Sequence, residues 1–170
     1  MSESDVQLAL IAEAGPLKVS RETPFCVFEF AGEPRAWERA GARIARTREG
    51  QQYIQFYVGF EETQTRNAIA WCAKAALRGK PPTDKPVAVL VHAFMSIPKS
   101  WSDREQIDAR NGARLPTGTP DADNIAKLIG DALIGIVWKD DAQIADLRVI
   151  KRYSDSPAVR VEVREFVSPC

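Results

Sequence analysis

The sequence predicts an α/β fold: one domain in which a mixed β-sheet packs against helices. Three observations carry that expectation. Val87–Phe94 is an apolar run of buried-strand length, interrupted only by His92, and two segments, 69–77 and 125–136, repeat apolar residues at helical spacing. Near the C-terminus Val159, Val161 and Val163 alternate with Arg160, Glu162 and Arg164, the period of a half-exposed strand.

In chain order, residues 1–22 form an N-terminal extension whose apolar stretch, Val6 to Ala12, has no partner legible in the sequence. The domain proper is expected over 23–167. It opens on a strand at 24–31 (PFCVFEFA), rich in aromatic and β-branched residues. Gly32 to Gly50 reads as loop with short structure. Ile69, Cys72, Ala73, Ala76 and Leu77 define one face of a helix over 61–78, stopped by Gly79 and Pro81-Pro82. The apolar strand at 86–95 follows, and Ser100 to Ala109 reads as a short polar helix. The clearest helix runs from Asn124 to Ile134, its stripe made by Ile125, Leu128, Ile129, Ala132, Leu133 and Ile136, with Gly135 at its end. Residues 142–151 read as a strand, and Asp155-Ser156-Pro157 as the turn before the last strand.

Composition narrows the function. The chain has 170 residues, 45% of them apolar, and 23 basic side chains balance 23 acidic ones. This suits one folded domain. No apolar run approaches the ~20 residues of a membrane span, and the acidic start, Met1-Ser2-Glu3-Ser4-Asp5, is unlike a targeting peptide. Cys26, Cys72 and Cys170 are too few for a disulfide framework and include no CxxC pair, so a reducing cytoplasm is expected. His92, the sole histidine, lies in the apolar strand and reads as a hydrogen-bonded core residue rather than a catalytic base. Neither GxxxxGK[ST] nor GxGxxG occurs, so a nucleotide cofactor is not expected.

What remains is an acidic constellation, Pro120-Asp121-Ala122-Asp123 with Lys127, followed by Asp140-Asp141. In an extended segment residues i and i+2 point the same way, so Asp121 and Asp123 are expected to converge. Lys127 follows Asp123 by one helical turn and Asp131 follows Lys127 by another. The connection through Ile136-Val137-Trp138 is short enough for a return that brings Asp140 or Asp141 back beside the helix; spacing alone does not choose which. Crowded carboxylates repel unless a cation lies between them, and oxygen ligands without His or Cys favour Mg²⁺ or Mn²⁺. Singly, each acid also reads as a helix cap, a turn or an ion-pair partner.

Residues 120–153 carry a longer pattern: P-D-x-D-N-[LI]-x-K, then D-A-L-x-G-x-[VI]-[WY], then D-D-x-Q-[VI], matched at every position. This resembles the signature of the RusA family of Holliday-junction resolvases of bacteria and their phages. Ile97-Pro98-Lys99-Ser100-Trp101-Ser102 is similar to the family's middle segment, and the likeness extends more weakly over about 25–166. The resemblance implies a RusA-like α/β fold, a cytoplasmic homodimer, and Mg²⁺-dependent cutting of four-way DNA by paired symmetric nicks, with Mn²⁺ a possible substitute. It assigns Asp121, Asp123 and Asp141 as metal-binding catalytic aspartates and Lys127 as the catalytic lysine, choosing Asp141 over Asp140. Arg35, Arg39, Arg43 and Lys99 are the candidate DNA contacts, with Trp37 a possible stacking residue. The sequence departs from the family in its less basic segment at 32–39 and in Thr117-Gly118-Thr119 before the acidic motif. A nuclease of flaps or forks, a silent junction-binding protein and a structural dimer module are the competing readings.

Overall fold

A computed structural model describes residues 18–19, 23–36, 41–57 and 59–167. Seven strands are formed: β1 (Lys18–Val19), β2 (Cys26–Ala31), β3 (Gly41–Arg46), β4 (Gln52–Tyr57), β5 (Val87–Ser96), β6 (Ile144–Ser154) and β7 (Ala158–Val167). Among the described residues three helices accompany them: α1 (Phe60–Leu77), α2 (Asp103–Arg110) and α3 (Ala122–Leu133).

The main sheet is mixed, as expected. β5 lies between β6, to which it is parallel, and β7, to which it is antiparallel. The far edge of β7 pairs with β2 and, near its C-terminal end, with β1. Asp155-Ser156-Pro157 therefore does not close a hairpin; β6 and β7 lie on either side of β5. Parallel β5 and β6 require a crossover, and α3 supplies it.

Alternation sorts the faces of the sheet. Val87, Val89, Val91 and Ala93 of β5 and Val159, Val161 and Val163 of β7 are buried under the helices. They meet Ile69, Ala73 and Leu77 of α1 and Ile125, Leu128, Ile129 and Leu133 of α3 in one core. His92 points to the other face, half-buried and stacked with Phe94 at a centroid distance of 6.1 Å, with no hydrogen bond among the described residues. This corrects the hydrogen-bonded core reading: within the strand its parity puts it opposite the core.

A second correction concerns 32–50. β3 and β4 form an antiparallel hairpin, turned at Thr47–Gly50 with Gly50 at φ +86°. Its paired Ile44 and Ile54 are 71% and 65% exposed, and arginines intersperse β3. No residue of β3 or of 52–55 in β4 is buried, so burial imposes no in–out pattern on these residues. The remaining element bounds differ from the sequence reading by one to three residues at most ends. Residues 1–17, with the Val6–Ala12 stretch, lie outside the described residues.

At the start of β5, Glu165 of β7 accepts hydrogen bonds from Lys85 Nζ at 2.8 Å and Thr83 Oγ1 at 2.5 Å. Burial acts to raise its carboxyl pKa, but these two donors and the Lys85 charge outweigh burial and hold it below the ordinary value. Two expectations follow from this packing. Leu133→Ala, at a fully buried site, lowers unfolding stability by about 2–5 kcal/mol, read as a lower urea midpoint at unchanged slope. Glu165→Gln is less stable than wild type above the ordinary carboxylate pKa. That difference shrinks as the pH falls below it and is gone past the lowered folded-state value, as melting curves across acid pH will show.

Candidate active site

The acidic motif begins where the loop 111–120 delivers the chain to α3. That loop is held at both ends. Arg114 stacks on Trp101 with its guanidinium carbon 3.9 Å from the ring centroid and pairs with Glu105 at 2.6 Å. Trp101 in turn meets Tyr153 of β6 edge-on at 5.1 Å. Lys151 Nζ donates to the carbonyl of Gly118 at 2.6 Å, three residues before Asp121. Glu105 also completes a capping box with Ser102 that starts α2. The sequence reading missed this clamp, since no local signal ties Arg114 to Trp101 across 13 positions.

Asp121 is the residue that precedes α3, in extended conformation at φ −73°, ψ 152°, yet its side chain makes no capping hydrogen bond. Asp123 already belongs to the first helical turn. The extended segment thus ends between them, one residue earlier than the convergent i, i+2 geometry requires. Both are exposed, and neither side chain has a hydrogen bond or ion pair among the described residues. Lys127 lies exposed one turn further along the same helix. Asp131, the next member of that row, is taken by Arg66 of α1 at 2.5 Å.

Asp140 and Asp141 sit elsewhere. Ile134, Ile136 and Val137 stay hydrogen-bonded to the end of α3, and Thr83 N donates to Val137 O. A short 3₁₀ turn, Asp141–Gln143, then opens β6. Asp140 caps it, accepting from Ala142 N at 2.8 Å, while Gln143 Oε1 accepts from Asp140 N and Gln143 Nε2 donates to the carbonyls of Thr83 and Lys85. Asp140 is therefore engaged structurally, and exposed Asp141 has no partner among the described residues. Along the chain, Asp121 precedes the first residue of α3 and Asp141 follows its last. α3 has 12 residues, about 18 Å of rise, and Asp141 lies at its far end. In line with that separation, no three Asp, Glu, His or Cys side chains among the described residues group closely enough to hold a metal ion. The donors are nevertheless of the right kind for a hard divalent cation: exposed carboxylates not committed elsewhere.

The candidate DNA contacts are spread over the same protein. Arg35, exposed, pairs with Glu61 at the start of α1. Arg43 on β3 donates from Nε to Gln55 Oε1 of β4 at 3.0 Å. Lys99, exposed after β5, borders a recess of about 450 Å³ that Gln106, Arg110 and Asp155 also line. Arg39 and Trp37 lie outside the described residues. No helix among the described residues is long and apolar enough to cross a membrane.

Known proteins match this chain along most of its length. An uncharacterized protein of Bacillus subtilis (strain 168), YqaN, is 34% identical over 136 residues, 79% of this chain and 87% of the relative. The family described as endodeoxyribonuclease RusA matches residues 32–164, from the end of β2 through the acidic motif and most of β7. The chain belongs to the RusA endodeoxyribonuclease family.

Proposed function

We propose that this protein is a divalent-metal-dependent endonuclease that resolves four-way DNA junctions as a homodimer, and that each active site is shared between two copies. The observation that carries the second part is the separation of Asp121 and Asp123 from Asp141 by the length of α3. All three are uncommitted carboxylates, and a second copy related by a two-fold axis can bring the far end of its own helix to the near end of this one. A junction cut by two opposed nicks needs two such sites related by symmetry, which a homodimer supplies.

Asp121 and Asp123 of one copy with Asp141 of the other would hold Mg²⁺, with Mn²⁺ as a substitute. A cation so bound supplies neutralisation of phosphate charge and a more acidic water. The chain's own groups do the rest. Lys127, fixed one turn along the helix that starts at the carboxylates, directs a positive charge toward the scissile phosphate, where charge grows in the transition state. The Trp101–Arg114 clamp and the Lys151–Gly118 hydrogen bond restrain the loop, so Asp121 is positioned before substrate arrives. Arg35, Arg39, Arg43 and Lys99 would contact the phosphate backbone. They make an otherwise charge-neutral chain locally basic, and binding should weaken with salt.

The test uses an end-labelled immobile four-way junction beside a linear duplex of the same sequence. Expected are paired symmetric nicks in the junction alone, abolished by EDTA and reduced at least about a hundredfold by Asp123→Asn or Asp141→Asn. Cutting of flaps or forks in preference to the junction would replace the substrate assignment, and tight binding without cutting would make the protein a silent binder. Subunit exchange tests the sharing. A mixed dimer of Asp123→Asn and Asp141→Asn chains regains one intact site and nicks one strand, whereas sites built within single chains stay inactive in every combination.

A further inference from the structure

The outer face of α1 carries an apolar row that the core does not use. The helix buries Ile69, Ala73 and Leu77 against the sheet, and on the opposite side Phe60, Gln64, Ala68, Trp71 and Ala75 follow one another at i, i+4, i+8, i+11 and i+15. Trp71 is 73% exposed and Phe60 75%, while Ala68 and Ala75 flank the indole with small side chains. An exposed Trp between two alanines, on the side of a helix away from its own core, is a knob without a hole.

We infer that this face is the two-fold contact of the dimer, with α1 of one copy packed antiparallel on α1 of the other; the inference rests on the homodimer reading above. Three features favour a second copy over another occupant. First, sizes complement one another in an antiparallel register that puts Trp71 opposite Ala68 and Gln64 opposite Ala75. Second, the charges are self-complementary. Glu61, which also pairs with Arg35 of its own chain, lies in the first turn, while Lys74 and Arg78 lie at the other end, and Arg78 has no ion pair among the described residues. The same register sets Glu61 opposite Arg78. DNA, a uniform polyanion, would find no positive charge at the centre of the row, where Gln64, Ala68 and Trp71 lie.

Third, the arrangement explains the divided acids. α1 and α3 run in the same sense. The C-terminal end of α1 shares a recess of about 230 Å³ with Gly135 and Ile136, just beyond α3, and Lys80 lies over Phe25 at the start of β2. The N-terminal end pairs Glu61 with Arg35, beyond the end of β2. With the two-fold axis lying across the helices, α3 of one copy runs opposite in sense to α3 of the other. The end bearing Asp121 and Asp123 then shares a side with the end bearing the partner's Asp141.

Trp71→Glu places a charge at the centre of this contact and, being on an exposed face, leaves the monomer fold intact. Sedimentation velocity at micromolar concentration should show a wild-type dimer and at least about thirtyfold weaker dimerisation in the variant, with unchanged circular dichroism. Arg78→Glu should weaken the dimer, and Glu61→Arg in the same chain should restore it. A variant Trp71→Glu that stays dimeric, or a wild type that is monomeric, overturns the assignment of this surface. The subunit-exchange assay reads the shared site separately. A dimer lost on Trp71→Glu together with undiminished junction cutting would retain this surface and remove the shared active site.

Discussion

Burial of the α3 stripe against the sheet sets the positions of everything else around the acids. Ile125, Leu128, Ile129 and Leu133 enter the same core as the valines of β5 and β7, and burying side chains of this size stabilises by ~1.5–3 kcal/mol each. Because β5 and β6 are parallel, the helix between them must return the chain the length of the sheet. The packing fixes its rotation and the crossover fixes its direction. Asp121 and Asp123 are thereby placed where α3 begins, and the Asp140–Gln143 turn where it has delivered the chain to the foot of β6.

That constraint separates structural acids from available ones. Five carboxylates occur within or beside the two motif segments, and two of them have defined work. Asp140 caps the 3₁₀ turn whose Gln143 ties it to Thr83 and Lys85, and Asp131 joins α3 to α1 through Arg66. Asp121 stands at a cap position and makes no capping bond, Asp123 is exposed on the first turn, and Asp141 follows a capping residue without being one. Carboxylates left in water on a rigid scaffold retain the capacity to bind a cation or to repel one another, which is what a metal-dependent site asks of them.

The two helix faces divide the labour similarly. α1 contributes Ile69, Ala73 and Leu77 to the core and holds α3 through Arg66, yet keeps an aromatic on its outer side. The divided acids and the exposed Trp71 on α1 are separate observations, and the proposed antiparallel dimer accommodates both.

The sequence by itself determined the elements whose residues alternate between core and solvent. The stripe of α3, the valine ladder of β7 and the apolar run of β5 were legible because burial imposes their period, and the mixed sheet followed from their order. The acids, the lysine and the family pattern were legible as residue types at fixed spacing. The β3–β4 hairpin was not, because no residue of 41–46 or 52–55 is buried and no period is imposed there. The position of His92 was decided by strand parity, and the choice of Asp140 as the capping residue by its bond to Ala142 N. Above all, only the tertiary structure decided that Asp121 and Asp141, 20 positions apart, lie at opposite ends of a helix. Local spacing governs which way neighbouring side chains point, but the distance between segments is set by the direction in which a packed crossover must run.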